Sequence, residues 1–203
     1  MKKNKQQLKK QIQKRSAIID AAIKTFSLKG FHQTKISEIA KHAEVADGTV
    51  YLYFKNKDEL LMVAFDEIIN EKLNIIKSKI DTDTTSLRKL LHFFKLHVKL
   101  FTEEPHLARF LSIELRQSSE FYQKYPEFKP LEKYTNFLEK LCQDTIQEGN
   151  IKPFDTKALA IIFYGTMDFL LLEWATGNQN FSLSKMEKKI VDILTNGLRI
   201  YSS

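Results

Sequence analysis

Tyr51 and Tyr53 stand one residue apart, preceded by Asp47, Gly48 and Thr49 and followed by Lys55 and Lys57. Phenol and hydroxyl groups donate hydrogen bonds and lysines bring charge; both suit phosphate oxygens. The small, polar residues at the front give a slim helix end, which suits entry into a DNA major groove. This chemistry grips a polyanion and breaks no bonds. The rest of the sequence offers no rival chemistry: there is no H-E-x-x-H, no Gly-rich phosphate loop and no Cys/His cluster at metal spacing. His92 and His97, five apart, fall on different faces of a helix. No catalytic residue, metal or cofactor is expected, and an enzyme is the reading set aside.

The elements that must hold these residues are helices. Ile19, Ala22, Ile23 and Phe26 recur at helical spacing, so 12–29 reads as an amphipathic helix ended by Gly30. Thr34 is the expected N-cap of a second helix, with Ile36, Ile39, Ala40 and Ala43 inward. A tight turn at Glu44–Ala46 leads to a third helix over about 47–54. There Val50 and Phe54 point inward and leave Tyr51 and Tyr53 off the core face. Three short helices with a tight turn before the third describe a helix-turn-helix head.

Asn56 with Glu59 reads as a capping box opening a fourth helix that runs to about Ile80. Further helices are expected from Leu87, from Pro105 to about Ser119, over 131–148, from Asp155 to Gly177, and over 185–201 behind a Ser184/Glu187 box. The expectation is an all-α chain of about nine helices. Residues 1–55 form a three-helix head with a basic arm, and residues 56–203 form a six-helix body.

Charge follows the same division. Residues 1–15 carry seven basic side chains and no acid, equal to the whole net charge of +7. Residues 1–57 carry 13 basic and four acidic residues, which leaves the remainder slightly acidic. Positive field is thus concentrated beside the tyrosine pair. A solvated tail is the plainer reading of the first fifteen residues; alternatively, the Lys2–Arg15 arm reaches an adjacent minor groove. No apolar run approaches the ~18 residues that span a bilayer, and the Lys-rich start lacks a secretory core. With one cysteine, Cys142, the chain is expected in a reducing cytoplasm. A basic protein at a membrane surface remains the alternative to a DNA-binding one.

IIDAAIKTFSLKGF (18–31), TKISEIAKHAEV (34–45) and DGTVYLYFKNKDEL (47–60) resemble the DNA-binding domain of the TetR family of transcriptional regulators. The resemblance implies a dimeric regulator, with a helical body that binds a small effector. It matches Lys35, Ser37, Thr49, Tyr51, Tyr53 and Lys57 to positions that hold the DNA backbone, with Thr34 and Lys55 beside them. Asp47, Gly48 and Leu52 are the expected readers of base edges, although Asp47 serves equally well as a helix cap. Glu44 departs from the family, which usually places glycine at that turn. SIELRQSSEFYQK (112–124) and QEGNIKPFDTKALAIIFYGTMD (147–168), together with HQTKISEIAKHAEVADGTVYLYFKNK (32–57), resemble the subgroup that represses fatty-acid degradation genes and is released by long-chain acyl-CoA.

Twelve of the fifteen phenylalanines follow residue 57, enough to line an apolar cavity. Phe94, Phe101, Phe110, Ile113, Tyr134, Phe137, Leu138, Leu141 and Phe163 are its candidates, and each is equally at home in a filled core. Arg116 and Gln117 are placed to meet an anionic group at the mouth. His97 shares a helix with Phe94 and Phe101. An acidic pocket lined by Glu114, Asp168 and Glu173 would instead suit a multidrug-type sensor of aromatic or cationic compounds. The 161–174 segment is apolar nearly all round, and Tyr164, Met167, Leu171 and Trp174 are expected at a homodimer interface. Met186, Ile190, Leu194 and Leu198 add a stripe from the last helix. Two heads so joined address a palindromic operator.

Overall fold

The computed structural model describes residues 2–177 and 181–198, with the side chains of residues 2–4, 195 and 198 left aside. Ten helices occupy the described residues: α1 Lys2–Lys29, α2 Ile36–His42, α3 Asp47–Tyr51, α4 Lys57–Ile80, α5 Ser86–Glu103, α6 Pro105–Arg109, α7 Ser119–Lys124, α8 Glu132–Gln147, α9 Thr156–Thr176 and α10 Leu183–Leu198. A π-helical turn, Phe110–Glu114, continues α6. The all-α expectation holds, with one helix more than the pattern suggested. The addition is α7, six residues whose N-cap Ser118 accepts from the Phe121 amide.

Contacts divide the chain into two compact units: residues up to 68 with 109–128, and 69–108 with 129–203. The expected division after residue 55 instead cuts before α4. The packing also assigns the 109–128 segment to the first unit.

The first unit is built on Ile18, Ile19, Ala22, Phe26, Ile39, Ala40, Val50, Phe54, Leu60, Leu61 and Phe65, all buried. Phe110 belongs here and not to a cavity in the second unit. Its ring stacks on Phe65 at 4.4 Å and lies 6.3 Å from Phe26. The caps follow the backbone's need for partners at helix ends. Asn56 Oδ1 accepts from the Glu59 amide at 2.8 Å, as expected of an N-cap. Thr34 is not the N-cap of α2. That place is taken by Lys35, and the buried Thr34 hydroxyl donates to the Gly30 carbonyl at 2.8 Å. In α3 the helix proper ends at Tyr51, and Leu52 to Phe54 continue as a tightened turn bonded to Thr49 and Val50.

Glu44 adopts φ 55°, the left-handed conformation. The Val45 amide reaches the Ala40 carbonyl at 3.0 Å and the Glu44 amide reaches Lys41 at 3.3 Å. This is a Schellman closure of α2 with glutamate at the position glycine usually fills. Gly149 closes α8 in the same way, at φ 72°.

The second unit packs α5, α8 and α9 around Leu90, Phe93, Phe94, Phe101, Tyr134, Leu138, Leu141, Phe163, Met167 and Leu171. Asp155 caps α9, accepting from Ala158 at 2.7 Å. The cap of α10 is Ser182, two residues before the expected Ser184. Helix α9 corrects the expectation that nothing reaches membrane length. Its best window has a mean hydropathy of 1.5, and a third of that window is buried within the chain. By length and composition alone it is apolar enough to cross a bilayer.

Replacing Glu44 by glycine should relieve the left-handed strain, less the entropy glycine loses on folding, for a net gain of about 0.5–1 kcal/mol. A higher melting temperature is the expected reading. His97, buried in the second unit, has its pKa lowered to about 3 by desolvation. The unfolded chain binds this proton first, near pH 6.5, so stability is full above that pH and falls as the pH drops towards 3. The slope is about 1.4 kcal/mol per pH unit. Urea titrations at pH 7, 6 and 5 should show a shallower acid loss in His97→Phe than in the unaltered chain.

Candidate nucleic-acid interface

The face expected to meet DNA lies within the first unit. Helix α3 is held from below by Val50 and the turn after it by Phe54, 1% and 2% exposed. Opposite them, Asp47, Gly48, Tyr51, Leu52 and Lys55 are exposed, and Thr49 and Tyr53 are half-buried. Leu52 is 82% exposed, so an apolar side chain is spent on solvent where a polar one would cost nothing. Lys35 and Ser37, near the start of α2, are exposed as well. A Cβ added to Gly48 would meet nothing within 4 Å, so no contact inside this chain requires glycine there. A surface that must be approached closely from outside would require it.

Two expected members are turned inward. Thr34 is buried, as described. Lys57 sends its ammonium to the Phe31 carbonyl at 2.7 Å, Thr34 at 2.9 Å and His32 at 3.4 Å, and lies 4.5 Å from the Phe31 ring. An ammonium has three protons, and these carbonyls use all of them. Burial lowers its pKa. Lys57 therefore holds the α1–α2 connection and has no proton left for a phosphate.

That connection has further partners. The Phe31 amide donates to Glu114 Oε2 at 2.9 Å, and burial raises the Glu114 carboxyl. Asp58 accepts from Lys124 and from Tyr125, at 2.8 and 2.7 Å. The 109–128 segment is thus tied to both the α1–α2 loop and the start of α4. Sequence reading missed this role, because neither Glu114 nor Asp58 sits at a recognisable spacing from its partner.

The basic arm is helical: α1 begins at Lys2. Arg15 anchors it, its guanidinium 5.6 Å from the Phe54 ring and paired with Glu67. A helix about 10–12 Å across does not enter a minor groove about 6 Å wide.

The expected effector residues are assigned to both units. Phe110, Ile113, Arg116 and Gln117 belong to the first unit, where Ile113, Arg116 and Gln117 border a 250 Å³ hollow beside Lys29–Gln33. Arg116 donates to the Ser112 carbonyl and Gln117 to Glu114's, so both serve their own helix end. Phe94, His97, Phe101, Tyr134, Leu138, Leu141 and Phe163 are buried in the second unit. Phe137 and Leu141 also border a 450 Å³ hollow with Lys77, Lys89 and Lys140. The three acids of a multidrug-type pocket are divided between the units. Glu114 bonds to Phe31 in the first unit, while Asp168 and Glu173 lie on α9.

The dimer residues need a correction too. Met167 and Leu171 are 0% and 4% exposed in the single chain, so they offer no surface to a partner. The open face of α9 carries Ile161, Ile162 and Phe169. With Met186 and Ile190 of α10 they line an apolar groove of 670 Å³. Tyr164, Trp174 and Leu194 are half-buried, and the Leu198 side chain lies outside the described residues. The cause is periodicity: on a helix apolar all round, composition does not say which stripe faces home.

This chain is similar to known proteins along nearly its whole length. Residues 18–63 match the family described as bacterial regulatory proteins, tetR family, and 65–197 match the YsiA-like protein C-terminal region. The fatty acid metabolism regulator protein of Bacillus subtilis is 34% identical over 183 residues, 89% of this chain and 93% of that protein. The solved structure of the fatty acid degradation regulator FadR from Bacillus halodurans has a TM-score of 0.83 at 33% identity, covering 91% of this chain and 99% of that one. FadR from Bacillus subtilis, solved in complex with stearoyl-CoA, has a TM-score of 0.83 at 34% identity and the same coverage. The chain belongs to the TetR family of bacterial transcriptional regulators.

Proposed function

We propose that this regulator represses its genes by binding a palindromic operator as a homodimer, and that a long-chain acyl-CoA releases it. The observation that carries the effector is the likeness, over 91% of this chain, to a regulator solved with stearoyl-CoA. The phenylalanine-rich second unit is in keeping with a long apolar ligand. A ligand held there must bind two arrangements of the protein with different affinity, or it shifts nothing. Helix α4 contributes to both units and is the element through which such a shift would reach α3.

For DNA, Tyr51, Tyr53, Thr49, Lys35, Ser37 and Lys55 hold phosphates, while Asp47, Gly48 and Leu52 meet base edges. Lys57 and Thr34 shape that surface from beneath. For the partner, the exposed α9–α10 face carries Ile161, Ile162, Phe169, Met186 and Ile190. An apolar face of this kind at the surface fits a second copy of the chain. Addition of stearoyl-CoA to an operator complex, with the operator selected from random duplexes, tests the whole reading. Tight ligand binding with no loss of operator affinity would refute the release mechanism.

Tyr51→Ala should lower operator affinity by about tenfold with an unchanged melting temperature. Lys57→Ala should lower the melting temperature itself, because three carbonyls lose the ammonium and, among the described residues, only Phe31's keeps another donor, the Thr34 amide, at a cost of about 1–3 kcal/mol. Operator affinity should fall by about 0.9 log unit per log unit of salt for each phosphate neutralised, and less steeply in a chain lacking residues 2–14. A salt-insensitive affinity would refute phosphate gripping. Phe169→Glu, at a position 60% exposed in the single chain, should keep the fold and give a monomer by sedimentation.

A further inference from the structure

His97 is fully buried in α5 and faces Tyr134 of α8, both in the second unit. Its Nδ1 is hydrogen-bonded to the Tyr134 hydroxyl. The two groups can share a proton in two ways. If Nδ1–H donated to the phenol, the phenol hydrogen would need another acceptor, and the described residues provide none. If the phenol donates to Nδ1, that hydrogen is satisfied and the ring carries its own proton on Nε2. The second arrangement is the better one. It leaves a single N–H, on Nε2, buried and without a hydrogen-bond partner.

The His97 ring as a whole lies among aromatic rings. The Phe101 ring centroid lies 4.7 Å from that of His97 and the Tyr134 centroid at 5.4 Å. Tyr134 in turn packs edge-on against Phe93 and Tyr164. Burial keeps the imidazole uncharged at neutral pH. A buried donor left unmet costs more than a hydrogen bond of ordinary strength returns, so a core that keeps one calls for an acceptor from outside the chain. The acceptor that fits is uncharged. A carboxylate would lose its hydration for one neutral donor, and a cation would meet a donor instead of an acceptor.

We propose that His97 is a specificity residue for the effector, with Nε2–H donating to the thioester carbonyl oxygen of an acyl-CoA. This rests on the acyl-CoA reading above and adds to it the chemical group that is recognised. It also separates acyl thioesters from free fatty acids of the same length, which end in a charge. Tyr134 is a positioning residue in this scheme, because its hydroxyl fixes the imidazole tautomer.

The test compares stearoyl-CoA with S-octadecyl-CoA, a thioether that keeps the chain and nucleotide but lacks the carbonyl. Calorimetric affinities are measured on the full-length protein and on His97→Leu and His97→Gln. The unaltered chain should prefer the thioester by about tenfold. His97→Leu should bind both ligands alike, with its fold kept and its melting temperature lowered by loss of the Tyr134 acceptor, and His97→Gln, which keeps a donor, should recover part of the preference. Equal affinities in the unaltered chain overturn this proposal alone, and that comparison stands even if a variant fails to fold. A preference that survives in His97→Leu overturns it as well. Failure of either CoA compound to bind the unaltered chain overturns the acyl-CoA reading and this proposal together.

Discussion

The connection from Gly30 to Thr34 leaves a short run of backbone groups that no helix satisfies, and much of the first unit is arranged to meet them. Glu114 takes the Phe31 amide, Lys57 takes the carbonyls of Phe31, His32 and Thr34, and the Thr34 hydroxyl takes that of Gly30. Buried backbone groups must be paired, so these contacts cannot be given up singly. They draw α1, α2, α4 and the 109–128 segment to one point. The placement of α3 depends on it, because α3 is only five residues long and is too short to hold itself.

Within that frame, the polar residues of the motif divide into two sets. Lys57 and Thr34 resemble surface ligands in their residue type, yet each is used up by backbone oxygens. Tyr51, Leu52, Lys35 and Ser37 stay outside because Val50, Phe54, Ile39 and Ala40 fill the inward positions of the same helices and turns. A small core thus decides which side chains are free. Glu44 fits the same logic. Its left-handed backbone costs something, but the Schellman closure around it satisfies two amides at the end of α2.

The second unit poses the opposite problem: an excess of apolar surface. Helix α9 fills the core with Phe163, Met167, Leu170 and Leu171 and still leaves Ile161, Ile162 and Phe169 outside. Against this apolar background the isolated polar pair of His97 and Tyr134 stands out, since it occupies core volume that a further phenylalanine could fill.

The sequence by itself determined the helical class, the spacing of Val50 and Phe54 against Tyr51 and Tyr53, and the caps at Asn56 and Asp155. It also placed Gly30 and Gly149 at helix ends. All of these are local, set by residues within a few positions of one another. Family membership was legible for the same reason, because its motif is one continuous stretch. Tertiary structure alone decided that Lys57 turns inward to a loop 23–26 residues earlier, that Glu114 meets Phe31 from 83 residues away, and that Phe110 packs with Phe26 and Phe65. It also decided which stripe of α9 is left open. The physical reason is that a side chain's residue type fixes what it can bond to, whereas the partner it reaches depends on which distant backbone groups folding leaves unpaired beside it.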